Sequence, residues 1–417
     1  MKEKPKIIII GAGLAGLACA HRLHQAGHRP IVFEASDVAG GRVRTDEVDG
    51  FLLDHGFQVF LTAYPEAGKL LDLDSLNLRK FRAGALVRKG GKFHRLMDVF
   101  RHPEAAITSV MAPVGSLRDK LLVAKMRFQA KRSSPTVSHP PARKDQSTEQ
   151  RLRDFGFSGP MIDGFFRAFY GGIFLERELR TSAGMFDFTF KMFTDGHAAV
   201  PALGMGQIPK QLAAKLPPGT IRYKSAVRSI SEGVVELESG ESHRAECIII
   251  ATDASSAAHL FPAAVQKPPR WRSTATLYFS APATPLNEPI IALDGEGSSL
   301  INNVCVISDV APHYAPPGRA LISVSVLGEW QIPDLEGNVQ AELINWFGKK
   351  ATEWKHLRTY RIEKALPEQL PGERDEQSNF LQDGPVYVCG DHCTTASIEG
   401  AIVSGLNAAK AICRSVG

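Results

Sequence analysis

Ile7-Ile8-Ile9-Ile10-Gly11-Ala12-Gly13-Leu14-Ala15-Gly16 decides how the rest of this chain is read. Four isoleucines in a row show no polar alternation and suit a strand covered on both faces; as an apolar run they are too short for a signal peptide. A GxGxxG pattern follows without a gap. Gly11 permits a tight turn, Gly13 lets a pyrophosphate approach the backbone, and Gly16 lets a helix pack closely on the strand. Leu14 and Ala15 open that helix, whose N-terminal amides and dipole favour an anion. Good helix formers run to Ala26, and Gly27 suits the residue just past a helix end. A second apolar strand, Ile31-Val32-Phe33, ends in Glu34, 23 residues beyond Gly11, with Ala35 next to it. A carboxylate there accepts hydrogen bonds from ribose hydroxyls and repels a 2′-phosphate, which disfavours NADP.

Outward from this core come Gly40-Gly41-Arg42-Val43-Arg44-Thr45. Paired glycines before an arginine present amides and a guanidinium to a second phosphate. Taken alone, they also read as a turn with a solvated arginine. Near the other end, Val386-Tyr387-Val388-Cys389 reads as a strand ending in Gly390-Asp391, which at a strand end can bind ribityl or phosphate oxygens of a nucleotide. A helix is expected from about Ile398, with Ala401, Ile402, Leu406, Ala409 and Ile412 on one face. Its N-terminus, near Glu399-Gly400-Ala401, presents a positive dipole end that would stabilise an anionic group placed before it. In the middle, Val234–Glu238, Ser239-Gly240 and Glu246–Ala251 suggest a hairpin-like pattern after Val227, which on sequence alone reads equally as a plain β-meander.

Gly11–Gly16, Glu34 and Gly40-Gly41-Arg42 to Thr45 resemble the FAD signature of the flavoprotein superfamily that holds amine oxidases, protoporphyrinogen oxidase and the plant-type phytoene and ζ-carotene desaturases. The C-terminal run from Gly390-Asp391 to Gly405 is most similar to the carotene desaturases and somewhat less so to protoporphyrinogen oxidase. The resemblance implies FAD as cofactor, with backbone near Gly56, Phe57 and Gln58 facing the flavin and Val227 pairing with adenine. It also implies that Cys247–Ile250 returns to the main sheet and that Ile398, Gly400 and Ala401 lie beside the ring. The sequence departs from amine oxidases of the superfamily in two places. Ile398 stands where they usually place an aromatic ring, and Ser273-Thr-Ala-Thr-Leu-Tyr-Phe-Ser280 lacks their usual lysine. Both departures fit hydride removal from an apolar carbon skeleton.

The 417 residues suffice for two or three domains. The expected fold is α/β: a Rossmann-like FAD domain assembled from residues 1–62, 205–254 and 384–417, with an α+β substrate domain inserted as 63–204 and 255–383. The net charge of +5 gives no reason to expect nucleic acid. Six sparse cysteines suit a reducing cytoplasm better than a disulfide framework, and Cys389…Cys393 with His392 lacks a second ligand pair, so no metal is expected. Lys131–Arg151, rich in Ser, Pro and charge, reads as an exposed loop. Eight of the 22 phenylalanines fall in the 29 residues Phe165–Phe193, suiting either an apolar pocket wall or a helical core, and Tyr170-Gly171-Gly172-Ile173-Phe174 resembles a stretch near the protoporphyrinogen oxidase substrate pocket. Arg167 and Tyr170 are the polar residues of that patch. Leu117–Arg132 reads as a basic amphipathic helix, suited either to an anionic membrane surface or to an ordinary solvated face. The leading expectation is an FAD-dependent desaturase or dehydrogenase of an isoprenoid-like lipid, cytoplasmic or peripheral on the inner membrane face, with quinone or oxygen as electron acceptor. An amine oxidase, a protoporphyrinogen-oxidase-like enzyme and a lipid-binding module with structural FAD are the alternatives. No catalytic acid or base and no protein partner is assigned.

Overall fold

The computed structural model describes residues 6–133, 146–263, 265, 268–328, 331–372 and 380–415. Ile7–Ile10 is the fully buried strand expected of four consecutive isoleucines. It pairs in parallel with Ile31–Phe33 on one side and Cys247–Ile250 on the other. Val386–Val388 adds in parallel beyond Cys247–Ile250, and Ile221–Arg222 beyond Ile31–Phe33. Strands from both ends and the middle of the chain thus build one sheet. Leu381–Asp383, placed by sequence in the second insertion, is instead its antiparallel edge strand. Three residues, two of them polar and exposed, gave no strand signal; the turn at Gly384-Pro385 folds it back.

The hairpin-like pattern resolves into a meander, and Cys247–Ile250 lies in the main sheet, as the resemblance implied. Val227–Ser231, Val234–Leu237 and Ser242–Arg244 form a separate antiparallel meander. Cys247–Ile250 leaves it for the parallel sheet, because four buried apolar residues need cover on both faces.

Helix Leu14–Gln25 follows the glycine turn and packs against the C-terminal helix Ile398–Ser415. The two approach so closely that a Cβ on Gly405 would lie 2.0 Å from the Ala15 carbonyl oxygen.

Both insertions share a mixed seven-stranded sheet, in which Gly84–Lys89 and Lys92–Met97 join strands Trp271–Ala281, Ile291–Asp294, Ile301–Val306, Ala320–Leu327 and Lys355–Pro367. Helix Arg167–Phe174 packs on its strands Ile291–Asp294 and Ile301–Val306, and helix Ala183–Asp195 packs against Leu117–Arg132 and Thr148–Phe155. Helix Leu117–Arg132 has the predicted bounds, but Leu117, Leu121 and Phe128 are exposed while Met126 is buried. Of the expected loop Lys131–Arg151, residues 134–145 lie outside the described residues. Lys131 and Arg132 end one helix, and Thr148–Arg151 begin another, Thr148–Phe155. The Ser147 side chain caps it by accepting from the Gln150 amide, a Ser-x-x-Gln signal masked by the polar composition. Among the described residues no helix is long and apolar enough to cross a membrane.

Candidate cofactor and substrate site

A cavity of about 1540 Å³ runs from the glycine turn to the exposed helix Leu117–Arg132. That exceeds the roughly 300–1,000 Å³ of a typical single-ligand pocket. Of the residues expected at the cofactor, Gly11, Gly13, Leu14, Ala15, Glu34, Ala35, Gly41, Arg42, Gly56, Phe57, Gln58, Val227, Gly390, Asp391, Ile398 and Ala401 line it. Gly16 and Gly400 do not, and both answer to packing. A Cβ on Gly16 would stand 2.0 Å from the Gly11 carbonyl oxygen, and one on Gly400 1.9 Å from that of Thr395. A Cβ on Gly13 would meet no protein atom within 4 Å, so this backbone is open to a ligand.

The turn is braced by Glu34. One carboxylate oxygen accepts from the Ala12 amide at 2.7 Å, the other from the Ser36 amide and hydroxyl at 2.9 and 2.8 Å. Gly41, at φ +59°, turns the chain so that Arg42 crosses to the far segment. Its guanidinium donates to Asp391 Oδ1 at 2.6 Å and to the Ala365 carbonyl at 3.1 Å, and lies over the Trp271 ring. The sequence reading left Arg42 facing only phosphate or solvent; it also clasps two ends of the chain. Gly390 donates to Ser404 Oγ at 3.0 Å, which fixes the turn before the C-terminal helix.

Gly56, at φ +94°, turns the backbone beside strand Trp271–Ala281, and the Phe57 amide donates to Thr276 Oγ1 at 3.3 Å. Gln58 donates through Nε2 to the carbonyls of Arg42 and His55, leaving its buried Oε1 without a hydrogen bond in the protein. An N–H or O–H of a bound ligand would satisfy it. Asp54, just before this turn, is buried and accepts from Thr45 Oγ1, the Met205 amide and Tyr314 OH. Burial pushes its pKa up to about 6 despite those bonds. Burial would also raise the Asp253 carboxyl, but bonds from Ser256 and Ser255 and the nearby Lys364 hold it below its usual range.

These features fit a flavin dinucleotide: an open glycine turn, a braced carboxylate, a helix N-terminus and an unmet acceptor. Residues 14–413 match the family model described as flavin containing amine oxidoreductase. The chain belongs to that family.

This amine oxidoreductase family member is an FAD-dependent oxidoreductase. Protoporphyrinogen oxidase 2 of Arabidopsis thaliana is 30% identical over 170 residues, 40% of this chain and 32% of that one. The 15-cis-phytoene desaturase of an Oncidium hybrid is 34% identical over 118 residues, 26% of this chain and 20% of the desaturase. That of Synechococcus elongatus is 49% identical over 61 residues, 14% of this chain and 13% of that relative. Matches to these curated relatives therefore span about a third of their length or less. Among solved structures, a redesigned putrescine oxidase superposes with a TM-score of 0.74 at 18% identity, over 99% of both chains. Cyclohexylamine oxidase from Brevibacterium oxydans gives 0.71 at 19% identity, again over 99% of both. At such identity these structures share the fold with the family member described here.

In the far half of the cavity the aromatic segment proves to be both wall and core. Phe165, Phe169, Phe190 and Phe193 line the cavity, half-buried, while Phe166, Tyr170 and Phe174 line it from the buried cluster. Arg167 is bound to Asp163, Glu149 and the Arg177 carbonyl, away from any reacting group. Thr274 and Thr276 face the cavity from the strand that lacks a lysine. Sequence reading missed Asn302 and Asn303. The signal was an amide pair inside the otherwise apolar strand Ile301–Val306.

Proposed function

We propose that this enzyme takes hydride from a carbon of a largely apolar, isoprenoid-like lipid and passes the electrons to a quinone or oxygen. The observation that carries this reading is the continuous, mainly apolar cavity from the glycine turn to the exposed helix Leu117–Arg132. Gly11, Gly13, Leu14, Ala15 and Arg42 would hold the FAD pyrophosphate, Glu34 its ribose, and Val227 its adenine. Gly56–Gln58, Gly390, Asp391, Ile398 and Ala401 would hold the flavin half. Bound FAD supplies the hydride acceptor. The aromatic wall excludes water and positions the substrate by shape.

Charge argues against an amine. The carboxylate in the far half, Asp98, is already taken: Arg127 donates to it at 2.5 Å and Arg101 lies 3.5 Å away. Burial holds His197 below its usual pKa, hence neutral. A substrate ammonium would lose its water there and, among the described residues, find the far-half carboxylate Asp98 already paired.

The cavity mouth suggests where the lipid comes from. Phe100, Ile107, Met111, Leu117, Leu121 and Phe128 are each more than half exposed, and Phe100, Leu117 and Leu121 also line the cavity. Arg118, Lys125, Lys131 and Arg132 lie on the same helix, whose one acid, Asp119, is buried in its cap with Ser116. Apolar side chains within a basic surface fit the interface of an anionic bilayer.

Anaerobic titration of the holoenzyme tests the chemistry. Polyene or prenyl lipids should bleach the flavin band; rapid bleaching by putrescine or cyclohexylamine, with none by any lipid, would overturn the reading. Vesicle co-sedimentation tests the surface. Binding to phosphatidylglycerol vesicles, weakened by salt and by Leu121→Glu with Phe128→Glu, is expected. Protein that stays in the supernatant, or that buries this face in a dimer, would overturn it.

A further inference from the structure

Three polar side chains line up across the sheet that walls the cavity, running inward from the Gly56 turn. Thr276, Ser325 and Asn303 are direct neighbours across three adjacent strands: Thr276 pairs with Ser325, and Ser325 with Asn303. All three are buried and all three line the cavity. Thr276 abuts the Gly56-Phe57 turn through the Phe57 amide. Asn303 lies two strand spacings, roughly 10 Å, further in.

Asn303 is held in one orientation. Asn302 Nδ2 donates to the Ala168 carbonyl and to Asn303 Oδ1, both at 3.1 Å. Flipping the Asn303 amide would set two donors against each other, so Nδ2 is the group left over. That nitrogen is buried and makes no hydrogen bond in the protein. Helix Arg167–Phe174 reaches this amide pair because residue 172 is glycine: a Cβ there would stand 2.8 Å from Asn302 Nδ2. A close helix contact and a buried amide thus leave one fixed, unmet donor on a residue that lines the cavity. An unmet buried donor is costly unless something accepts from it.

We infer that Asn303 Nδ2 is a specificity subsite that binds a hydrogen-bond-accepting oxygen, such as a carbonyl, on the otherwise apolar substrate. The inference rests on the lipid reading of this cavity and narrows it: the substrate is an oxygen-bearing lipid rather than a bare hydrocarbon. The oxygen sits about two strand spacings from Thr276, which sets which carbon along the chain stands at the Gly56 turn.

The test uses the FAD-loaded enzyme and two probes, a long prenyl ketone and the hydrocarbon of the same skeleton, followed by perturbation of the flavin spectrum. The ketone should bind roughly tenfold tighter, as expected of one net hydrogen bond at about 1.4 kcal/mol per decade. Asn303→Leu should abolish that preference and leave hydrocarbon binding intact. Asn303→Asp, which keeps the shape but removes the donor, should reject the ketone and favour the matching alcohol, a change of order that a purely structural role would not produce. Equal binding of both probes to the wild-type enzyme, or a ketone preference that survives both variants, would overturn the subsite while leaving an apolar cavity. Binding of neither probe would overturn the lipid reading and the subsite together.

Discussion

Replacing Asp54 with asparagine should change how stability depends on pH, in a direction fixed by the structure. The carboxyl is buried beneath the Gly56 turn, where it accepts from Thr45 Oγ1 at 2.5 Å, the Met205 amide at 2.9 Å and Tyr314 OH at 2.8 Å. Burial outweighs these bonds and lifts its pKa from 3.8 to about 6. The folded protein therefore holds this proton more tightly than the unfolded chain does. The stability contributed by the protonated form is complete below about pH 4 and is lost as the pH rises through about 6. A shift of about two units corresponds to about 3 kcal/mol. Asparagine keeps an oxygen for Thr45 and Met205, and its amide can donate to Tyr314 OH, which both donates and accepts. Relative to wild type, Asp54→Asn should be near neutral at pH 4 and more stable by up to about 3 kcal/mol at pH 7.5. For a chain of this size unfolding cooperatively that is a rise in Tm of about 3 °C. Thermal melts of the holoenzyme across pH 4 to 8, read as the difference between the two proteins, make the comparison independent of other titrating groups. A difference that stays constant with pH, or grows toward acid, would refute the reasoning.

Further outcomes follow from the glycine turn and its clasp. Gly13→Ala should leave the fold intact while lowering bound FAD, because its Cβ would meet only the cavity; flavin absorbance per protein, with circular dichroism unchanged, checks this. Gly16→Ala should lower both, since its Cβ would lie 2.0 Å from the Gly11 carbonyl oxygen. Asp391→Asn weakens the 2.6 Å pair with Arg42 and should speed FAD release in a salt-dependent way; Arg42→Lys, which lacks the planar fork, should behave similarly, as gel filtration of the holoenzyme would show.

The cofactor end was legible because it depends on backbone: glycines, strand ends and a helix start leave fixed spacings in sequence, and Gly11 to Glu34 is one unbroken unit. The C-terminal strand and helix were legible for the same reason. The edge strand Leu381–Asp383 was not, because it is short and polar and is recruited by its neighbour. Nor was the role of Arg42 as a clasp, since Asp391 lies 349 residues away. Phe165–Phe193 announced an apolar mass, but the same helical spacing serves core and cavity wall. Leu117–Arg132 showed its period, yet only the fold reveals that Leu117 and Leu121 are left in the open. Asn303 needed the register of three strands before its neighbours were known.

The tight crossing at Gly405 and Ala15 has a consequence for biosynthesis. The glycine turn leaves the ribosome about 390 residues ahead of its supporting helix, the separation between Ala15 and Gly405. At ordinary elongation rates of about 5–20 residues per second, the four isoleucines wait on the order of tens of seconds for their cover. During that interval the nascent chain carries a sticky, unfinished nucleotide cradle, so flavin capture waits for the helix and chaperone demand should be concentrated at the glycine turn.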